Sequence, residues 1–447
     1  MTGVQTCALP IYTLITARWV IPVVPNDAVL EHHAIAIDKG AIVDVLPIAR
    51  ALERYGDTPT VSLGNQVLIP GLINLHTHAA MTLMRGLADD LPLMTWLHDH
   101  IWPVESKIVC AEFVRDGTLL ACAEMLRGGV TCFNDMYFFP EATAQAALQA
   151  RMRAAIGIIA VEFPSAYATD ATDYLSKGMA LRDAMRDENR LSFCLAPHAP
   201  YTVSDATFER IAVYAAELDI PVHTHLHETT DEIRDSIAAH GVSPLRRLAN
   251  LGLLGPNLIA VHATHVATED IALLAAHGCH VAHCPTSNLK LGSGLAPIAA
   301  LLQAGINVGL GTDSAASNNR LDLLAELRLA ALLGKLGACN AAAIPARQAL
   351  EMATINAARA LGLEHKIGSL ETGKRADITA INLDALELAP CYSPLSHIAY
   401  AAGREQVSHV WVDGELLVKD GSLLGVDTAG IIARAGHWHD KIKQAGA

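Results

Sequence analysis

The sequence predicts an α/β fold: a (β/α)8 TIM barrel with a small β-sandwich domain built from both ends of the chain. Three observations lead to this prediction. Eight strand-like apolar runs alternate with helical stretches through the middle of the 447-residue chain, as repeated βαβ units do. The runs carry histidine, glutamate, aspartate or asparagine at or next to their C-terminal ends, and short β-rich segments occur at both ends of the chain.

The eight predicted barrel strands are apolar runs at residues 68–78, 129–136, 153–162, 191–199, 220–228, 257–265, 280–288 and 307–314. Stretches between them, at 111–127, 205–218 and 268–277, have the apolar spacing of amphipathic helices and can cross back over a parallel sheet. An open, doubly wound sheet is the rival architecture, but no glycine-rich phosphate turn follows the first strand. The polar strand ends place the candidate site at the C-terminal face of the barrel.

The two ends of the chain are predicted to form the β-sandwich domain. Residues 12–67 contain β-rich runs at 14–24, 33–45 and 61–68, with helical signal only around 49–55, and residues 372–430 contain matching runs at 377–383 and 407–416. The barrel is predicted to span 68–371, and the tail 431–447 to be helical. Residues 1–11 lack the features of a signal peptide, so we interpret them as a remnant of sequence assembly and leave their native status open.

Charge and cysteine content argue against several partners and environments. The formal net charge is −14 and no Lys/Arg-rich run occurs, which disfavours nucleic-acid and anionic-membrane partners. Nine cysteines lack disulfide or zinc-thiolate spacing, and no run of about 18 uninterrupted apolar residues is present. We therefore expect a cytoplasmic protein with reduced cysteines. Homo-oligomerisation stays open, because the Ala-rich segment 321–336 could pack against a second subunit or against the barrel.

Histidines at predicted strand ends are the strongest functional signal. His-x-His occurs five times, so the pattern alone is weak, but His76 and His78 end a long apolar run and share one strand face. The alternative for this pair is two hydrogen-bonded core histidines. Imidazoles and carboxylates that converge from several strand ends suit zinc, with one position left open for water. Later strand ends carry the further candidates His223, His225, His227, Glu228, His262, His265 and Asp313.

Four segments resemble the amidohydrolase superfamily, in the branch of the 5-methylthioadenosine/S-adenosylhomocysteine deaminases and their chlorohydrolase relatives. They are Pro-Gly-Leu-Ile-Asn-Leu-His-Thr-His ending at His78, His-Leu-His-Glu ending at Glu228, Val-His-Ala-Thr-His ending at His265, and Gly-Thr-Asp-Ser ending at Ser314. The resemblance extends over the whole chain from about residue 12.

The resemblance implies a mononuclear metal site. The residues that match the family's ligands are His76, His78, His225 and Asp313, and they imply one Zn²⁺ per subunit, although ligand types alone leave Fe²⁺ and Mn²⁺ open. Binuclear relatives need a lysine at the end of the fourth strand, and residues 195–201 contain none. His262 matches the histidine that orients the attacking water, whereas we interpret His265 as structural.

Hydrolysis of an aromatic amine needs an activated water, a proton delivered to the ring and protonation of the departing nitrogen. Glu228 follows the fifth strand and could move the proton of the water to the ring, although an acid at the start of the next helix could instead be solvated. Asp313 would help to move a proton, with a turn or helix cap as the local alternative. His262 would stabilise charge that develops during attack.

Substrate contacts follow from the same resemblance. Trp96 and Glu105 match a Trp and a Glu that line the nucleoside pocket, and Glu105 could accept hydrogen bonds from both ribose hydroxyls. For Trp96, plain packing is an equal alternative. His198, after the fourth strand, matches the family's substrate-binding histidine. Asn288 and Lys290 are expected in a loop that closes the seventh strand, without a catalytic role.

The expected reaction is hydrolytic deamination of an adenine nucleoside, with 5'-methylthioadenosine favoured and adenosine left open. S-adenosylhomocysteine is less favoured, because the arginines expected for its carboxylate are missing: Arg151 and Arg153 lie at the start of the third strand, the wrong end of the barrel. A guanine or triazine deaminase or a chlorohydrolase on the same scaffold is the main rival, and a non-catalytic ligand-binding barrel is a remote one. The His-x-Glu and Pro-Cys-x-x-Cys signature of nucleic-acid deaminases is absent.

Overall fold

The protein is described by a computed structural model over residues 13–26, 28–56 and 58–445; the interpretation of residues 1–11 concerns a segment outside them. Its strands form two separate sheets. The N-terminal strands are β1 Thr13–Val20, β2 Leu30–Asp38, β3 Ala41–Pro47, β4 Thr60–Ser62 and β5 Gln66–Pro70. The central strands are β6 Leu72–Thr77, β7 Val130–Asp135, β8 Arg153–Ala160, β9 Leu191–Pro197, β10 Val222–Leu226, β11 Leu258–His262, β12 His280–His283 and β13 Asn307–Leu310. The C-terminal strands are β14 Ile378–Asn382, β15 Val407–Val412, β16 Glu415–Lys419 and β17 Ser422–Leu423.

The eight central strands form the predicted barrel. They are parallel and neighbour one another in chain order from β6 to β13, and their side chains are almost all buried, since helices cover the outer face. The first and last strands meet where the backbone N–H of Asp313 donates to the carbonyl of His76 at 3.0 Å. A Cβ at Gly311 would lie 2.8 Å from the Cβ of His76, so this close approach requires glycine.

Both chain ends contribute to the second sheet, as predicted. The N-terminal and C-terminal parts join where β5 runs antiparallel to β14, with Leu68 opposite Ala380. The sheet has nine strands in the order β17-β16-β15-β14-β5-β1-β2-β3, and β4 pairs with β1. The proposed domain limits, 12–67 with 372–430, 68–371 and 431–447, stay predictions.

Two of the predicted barrel runs differ from the structure. The run 68–78 divides at Gly71: β5 belongs to the end sheet, and only β6 lies in the barrel. Residues 68–70 and 72–77 are all buried, so a pattern that reports burial cannot divide them. The run 280–288 ends as a strand at His283, and the expected loop at Asn288 and Lys290 is the helix Pro285–Lys290. Proline at the first helical position favours that helix start.

Helices surround the barrel and pack over its ends. The predicted helices 111–127 and 205–218 have those limits in the structure, and the third ends one residue early, at Ala276. No helix among the described residues is long and apolar enough to cross a membrane. The α-helices are Ile48–Tyr55, Leu93–Thr95, Trp102–Ile108, Ala111–Arg127, Pro140–Gln149, Ala171–Met185, Asp205–Leu218, Thr230–His240, Pro244–Asn250, Thr268–Ala276, Pro285–Lys290, Ile298–Gln303, Ala315–Asn318, Leu323–Gly337, Ala346–Met352, Ile355–Ala360, Pro394–Tyr400 and Thr428–Gln444. Ala79–Met84, Leu386–Leu388 and Arg404–Gln406 are 3-10 helices, and Trp96–Ile101 is a π-helix.

Candidate metal and catalytic site

The candidate ligands meet at the C-terminal end of the barrel. His76 lies on β6 and His78 follows it, His225 lies on β10, and Asp313 follows β13. Asp313 has φ 60° and His262, at the end of β11, has φ 70°. Backbone in this left-handed region is costly for residues other than glycine and is often found where a side chain must be aimed into a site. The strand ends therefore turn these side chains inward.

Each ligand histidine is oriented through its Nδ1 atom. Nδ1 of His78 lies 2.5 Å from the carbonyl of Met136, and Nδ1 of His225 lies 2.6 Å from the carbonyl of His198. Nδ1 of His76 lies 2.9 Å from Nε2 of His223. A proton on Nδ1 donates to these acceptors, which leaves the Nε2 lone pair of each ring free for a metal. The sequence motif contained His223, but only the fold shows that it supports His76.

The arrangement fits a divalent metal ion. The nearest ligand atoms of His76, His78 and His225 lie within 4.8 Å of one another, and the same holds for His76, His262 and Asp313. Nε2 of His76 is buried without a hydrogen-bond partner. Oδ1 of Asp313 lies 3.3 Å from it and 3.4 Å from Nε2 of His78, about the ligand-to-ligand spacing of a tetrahedral site with bonds of roughly 2.0–2.1 Å.

The ionisation states of these residues also suit a metal. Burial lowers the pKa of His76 to about 4 and that of His225 well below its ordinary value. Both imidazoles are therefore neutral at pH 7, the form that ligates. Burial opposes ionisation of Asp313, but proximity to His76 and the neighbouring histidines outweighs it and holds the pKa of Asp313 well below its ordinary value. The set offers neutral nitrogen ligands and one carboxylate.

Serines fix the second oxygen of Asp313. The hydroxyls of Ser287 and Ser317 donate to Oδ2 at 2.6 and 2.8 Å, and the N–H of Ser314 donates to Oδ1 at 2.7 Å. Hydrogen bonds of this kind orient a ligating carboxylate. Sequence reasoning missed Ser287 and Ser317, because serines within short helices carry no signal of their own.

His262 and Glu228 face each other beside the ligand cluster. Nδ1 of His262 lies 2.8 Å from Oδ1 of Asn288, and its Nε2 lies 3.7 Å from Oε2 of Glu228. Asn288 therefore sets the orientation of the His262 ring, a supporting role that sequence reasoning did not assign. Ser293 donates to Oε1 of Glu228 at 3.3 Å. Burial raises the pKa of Glu228, which suits a group that both takes up and releases a proton.

Glu232 holds the turn that carries Glu228. Its carboxylate accepts the backbone N–H groups of His227 at 3.1 Å and Glu228 at 2.8 Å. Thr229 caps the helix Thr230–His240 by accepting the N–H of Glu232 at 3.2 Å. His227 has φ 52°, so the clamp stabilises a bend that an unrestrained chain would avoid. The Thr-x-x-Glu spacing is a capping-box signal in the sequence and could have indicated this role.

A central cavity connects the ligand cluster with the predicted substrate contacts. Eight of the nine predicted site residues line it, and His76 lies behind them; the eight are His78, Trp96, Glu105, His198, His225, Glu228, His262 and Asp313. Trp96 is 5% exposed, and its side chain both packs against apolar neighbours and lines the cavity. The two interpretations of Trp96, a packing role and a role in lining the cavity, are thus compatible.

The structure adds Tyr137 as the partner of Glu105. The phenol donates to Oε1 of Glu105 at 2.7 Å. Burial raises the pKa of Glu105 to about 7, and the hydrogen bond from Tyr137 limits the rise. His198 lines the same cavity; burial lowers its pKa to about 3, and its Nδ1 lies 3.0 Å from Oγ1 of Thr202. Glu105 is thus held as an acceptor, and His198 is a neutral imidazole.

Comparisons with known proteins agree with this geometry. A profile of the amidohydrolase family matches residues 67–417. The chain is 52% identical over 426 residues to a 5-methylthioadenosine/S-adenosylhomocysteine deaminase of Teredinibacter turnerae, which covers 95% of this chain and 96% of that protein. It is 50% identical over 439 residues to the protein of the same name from Saccharophagus degradans, with 98% of each chain covered.

Solved structures give the same result. A crystal structure of an adenosine deaminase from Xanthomonas campestris with bound zinc has a TM-score of 0.94 at 48% identity and covers 97% of this chain and 98% of that chain. Atrazine chlorohydrolase from Arthrobacter aurescens, complexed with zinc, has a TM-score of 0.88 at 27% identity and covers 96% of this chain and 100% of that chain. On fold, sequence and the metal-fitting cluster together, this chain belongs to the amidohydrolase family.

Proposed function

We propose that the protein is a metal-dependent aminohydrolase that removes the 6-amino group of an adenine nucleoside, with 5'-methylthioadenosine as the preferred substrate. One observation carries the proposal: a single cavity is lined by residues of the metal-fitting cluster, the buried carboxylate of Glu228 and the carboxylate of Glu105. The names of the relatives in Teredinibacter turnerae and Saccharophagus degradans support the same substrate class.

One Zn²⁺ per subunit is proposed, held by His76, His78, His225 and Asp313. Bound there, zinc would supply Lewis acidity that makes a water molecule nucleophilic at neutral pH. The zinc in the Xanthomonas campestris structure supports this choice of metal. Metal analysis of the purified protein tests it, and a ratio near one zinc per chain is the expected result.

Glu228 is proposed to move the proton. Its raised pKa allows the carboxylate to take a proton from the attacking water and to deliver it to the ring nitrogen next to the carbon that bears the amine. Oε2 of Glu228 lies 3.7 Å from Nε2 of His262, so both groups can contact one water. His262 then stabilises the charge that develops during attack, and Asp313 helps to protonate the departing nitrogen, which leaves as ammonia.

Glu105 is proposed to bind the ribose. An ionised carboxylate accepts two hydrogen bonds, one from each hydroxyl of a diol, and Tyr137 occupies only Oε1. His198 and Trp96 complete the walls around the nucleoside. A cytoplasmic location and the absence of nucleic-acid and membrane partners stay predictions.

The test compares substrates in parallel. Metal-replete protein is incubated with 5'-methylthioadenosine, S-adenosylhomocysteine, adenosine, guanine and a chlorotriazine, and ammonia, chloride and the purine absorbance are followed. Turnover of methylthioadenosine that is lost in Glu228→Gln supports the proposal. Inert nucleosides together with a reactive free base would contradict the ribose role of Glu105.

Hydrolysis of a triazine is the second candidate, because the atrazine chlorohydrolase shares 27% identity and a TM-score of 0.88 with this chain. A triazine has no ribose, so it makes no use of the Glu105–Tyr137 pair. Chloride release from the chlorotriazine at a rate above ammonia release from any nucleoside would favour this candidate.

A further inference from the structure

The helix Pro285–Lys290 carries two side chains that orient proposed catalytic groups. Ser287 donates to Oδ2 of Asp313 at 2.6 Å. Oδ1 of Asn288 lies 2.8 Å from Nδ1 of His262. The helix has only six residues, and so short a helix is not stable by its own hydrogen bonds. The positions of both side chains therefore depend on what holds the helix in place.

The helix Ala315–Asn318 reaches Asp313 by a second route. Ser317 donates to Oδ2 of Asp313 at 2.8 Å. The side-chain amide of Asn318 donates to the carbonyl of Thr312, the residue before Asp313, at 2.7 Å. Asp313 has φ 60°, a conformation that is uncommon for residues other than glycine. The bond from Asn318 thus helps to hold the peptide that presents Asp313 to the site.

One buried carboxylate joins these two short helices. Glu326 lies in the first turn of the helix Leu323–Gly337 and is 1% exposed. Its Oε2 accepts the backbone N–H of Thr286 at 3.0 Å, and its Oε1 accepts the side-chain N–H of Asn318 at 2.8 Å. The amide nitrogen of Asn318 therefore bridges Glu326 and the carbonyl of Thr312.

The hydrogen bonds explain why an acid occupies this position. Both groups that face the side chain of Glu326 are neutral donors, whereas a glutamine would turn a donor of its own toward one of them. Asn318 cannot compensate by reversing its amide, because the carbonyl of Thr312 also needs its N–H. Burial raises the pKa of Glu326 to about 7, and the hydrogen bonds from Thr286 and Asn318 limit the rise. The ionised form, which accepts at both oxygens, therefore predominates at about pH 8.5.

We propose that Glu326 is a positioning residue for Asp313 and His262, an inference that rests on the proposed function. Its hydrogen bonds go to the two short helices and not to either of these groups. One bond fixes the start of Pro285–Lys290, and the other fixes Asn318 and, through it, the peptide before Asp313. Metal affinity and kcat therefore depend on a residue that touches neither metal nor substrate.

The proposed substrate contacts are held by other segments. Tyr137 donates to Glu105 at 2.7 Å, and Nδ1 of His198 lies 3.0 Å from Oγ1 of Thr202. Neither pair includes a residue of the two short helices. Loss of the bonds to Glu326 should therefore lower metal affinity and kcat and leave KM nearly unchanged, whereas a general loosening of the barrel would change all three.

The first experiment uses Glu326→Gln at about pH 8.5, where the wild-type carboxyl is ionised. Glutamine keeps the size of the side chain and mismatches one of the two donors. We expect zinc affinity, measured by chelator competition, to fall by about tenfold. We expect kcat for methylthioadenosine to fall by about 10–100-fold through misplacement of catalytic groups. Wild-type zinc affinity and kcat would overturn the inference, and so would a variant whose main change is in KM.

Asp322→Ala is the matched control. Oδ1 of Asp322 accepts the N–H of Ala325 at 3.2 Å and so caps the helix that carries Glu326. Its removal weakens that helix and leaves both acceptor oxygens of Glu326 in place. The melting temperature should fall, while the zinc affinity and kcat of the folded variant should stay close to the wild-type values. Losses in Asp322→Ala equal to those in Glu326→Gln would refute the positioning role.

Asn318→Ala keeps the inference testable if Glu326→Gln does not fold. It removes one of the two bonds to Glu326 and should lower zinc affinity by about threefold; no change would contradict the inference. A combination with Ser287→Ala and Ser317→Ala adds a second test, since these variants lack the bonds through which Glu326 acts on Asp313. In that background the effect of Glu326→Gln on zinc affinity should shrink, and an undiminished effect would refute the assigned route.

Zinc affinity separates this inference from the proposed function. If the wild type does not deaminate methylthioadenosine, the proposed function fails, while a lower zinc affinity in Glu326→Gln than in Asp322→Ala still supports the role of Glu326. Deamination by the wild type, together with wild-type zinc affinity and kcat in Glu326→Gln, would contradict the inference alone.

Discussion

Polar side chains are buried at both ends of the barrel, but their partners differ. At the N-terminal end, the guanidinium of Arg153 forms two hydrogen bonds with Asp377, at 3.0 and 3.1 Å, and a third contact with Asp413 at 3.4 Å. At the C-terminal end, Nε2 of His76 is buried without a hydrogen-bond partner. In the first cluster the charged groups bind one another. In the second cluster the buried nitrogen gains a partner only when a ligand binds.

The difference shows how buried polar groups can be divided into structural and functional ones. The Arg153 cluster joins the barrel to the end sheet, since Asp377 and Asp413 follow or precede strands of that sheet. This structural role explains why Arg153 lies at the start of β8, at the end of the barrel opposite the candidate site. Substitutions at the N-terminal end should therefore cost stability, and substitutions at the C-terminal end should cost activity or metal affinity.

The largest effect is expected for Glu228→Gln. Glutamine keeps the size of the side chain but cannot carry the proton, so kcat for methylthioadenosine should fall by about 10²–10⁴-fold. The melting temperature should stay close to that of the wild type, because the substitution removes a buried acid. Steady-state kinetics measures kcat, and calorimetry measures the melting temperature. A lower melting temperature with an unchanged kcat would contradict the expected difference between the N-terminal and C-terminal ends of the barrel.

Arg153→Met tests the other end. Removal of the guanidinium leaves Asp377, whose side chain is 1% exposed, as an uncompensated buried charge, and the free energy of unfolding should fall by about 3–5 kcal/mol. Urea denaturation measures the loss, while kcat of the folded variant should match the wild type. Arg234→Met removes an arginine from an exposed ion pair and serves as the control. It should leave the midpoint of urea denaturation near the wild-type value. A large loss of kcat in folded Arg153→Met would show that the two ends are coupled.

Ser287→Ala should weaken the metal site without unfolding the protein. The hydroxyl donates to Oδ2 of Asp313 at 2.6 Å, and loss of such a bond lowers metal affinity by about 10–100-fold. Chelator competition measures the affinity. Ser236→Ala, which removes a hydrogen bond to the carbonyl of Val242 remote from the cluster, is the matched control. Equal zinc affinity in both variants would contradict the supporting role of Ser287.

The smallest effect is a pH dependence of substrate binding. Burial raises the pKa of Glu105 to about 7. Below this pH the carboxyl is protonated and loses acceptor capacity, so KM for nucleosides should rise by up to about tenfold per pH unit on acidification, and it should level off above pH 7. Tyr137→Phe removes a hydrogen bond that lowers this pKa, so the transition should move to higher pH. A KM profile for methylthioadenosine that is identical in both proteins would contradict this assignment.

The sequence predicted the barrel because a parallel strand covered on both faces is a continuous apolar run, and eight such runs are visible in the chain. It could not divide residues 68–78 between two sheets, because β5 and β6 are equally buried. It also could not distinguish the strand β12 from the helix Pro285–Lys290 within one run. Hydropathy indicates whether a segment is buried. Which sheet or helix the segment joins depends on the segments that pack against it in the tertiary structure.

The sequence also indicated which residues meet at the site, because polar residues at the ends of parallel strands lie at one face of the barrel. His76, His78, His225 and Asp313 were identifiable in this way together with the family resemblance, and the structure brings their side chains together. The roles assigned to them, and to Glu228 and His262, stay predictions until the variants are measured.

The supporting contacts were decided only by the tertiary structure. Tyr137 and Glu105 are 32 residues apart in the chain, and Ser287 and Asp313 are 26 apart. Short-range patterns carry no information about such pairs, because the bond depends on where loops from different strands place two side chains. The residue types needed for the chemistry can therefore be recognised in the sequence at the strand ends. Their orientation and their ionisation are set by packing between segments that are distant in the chain.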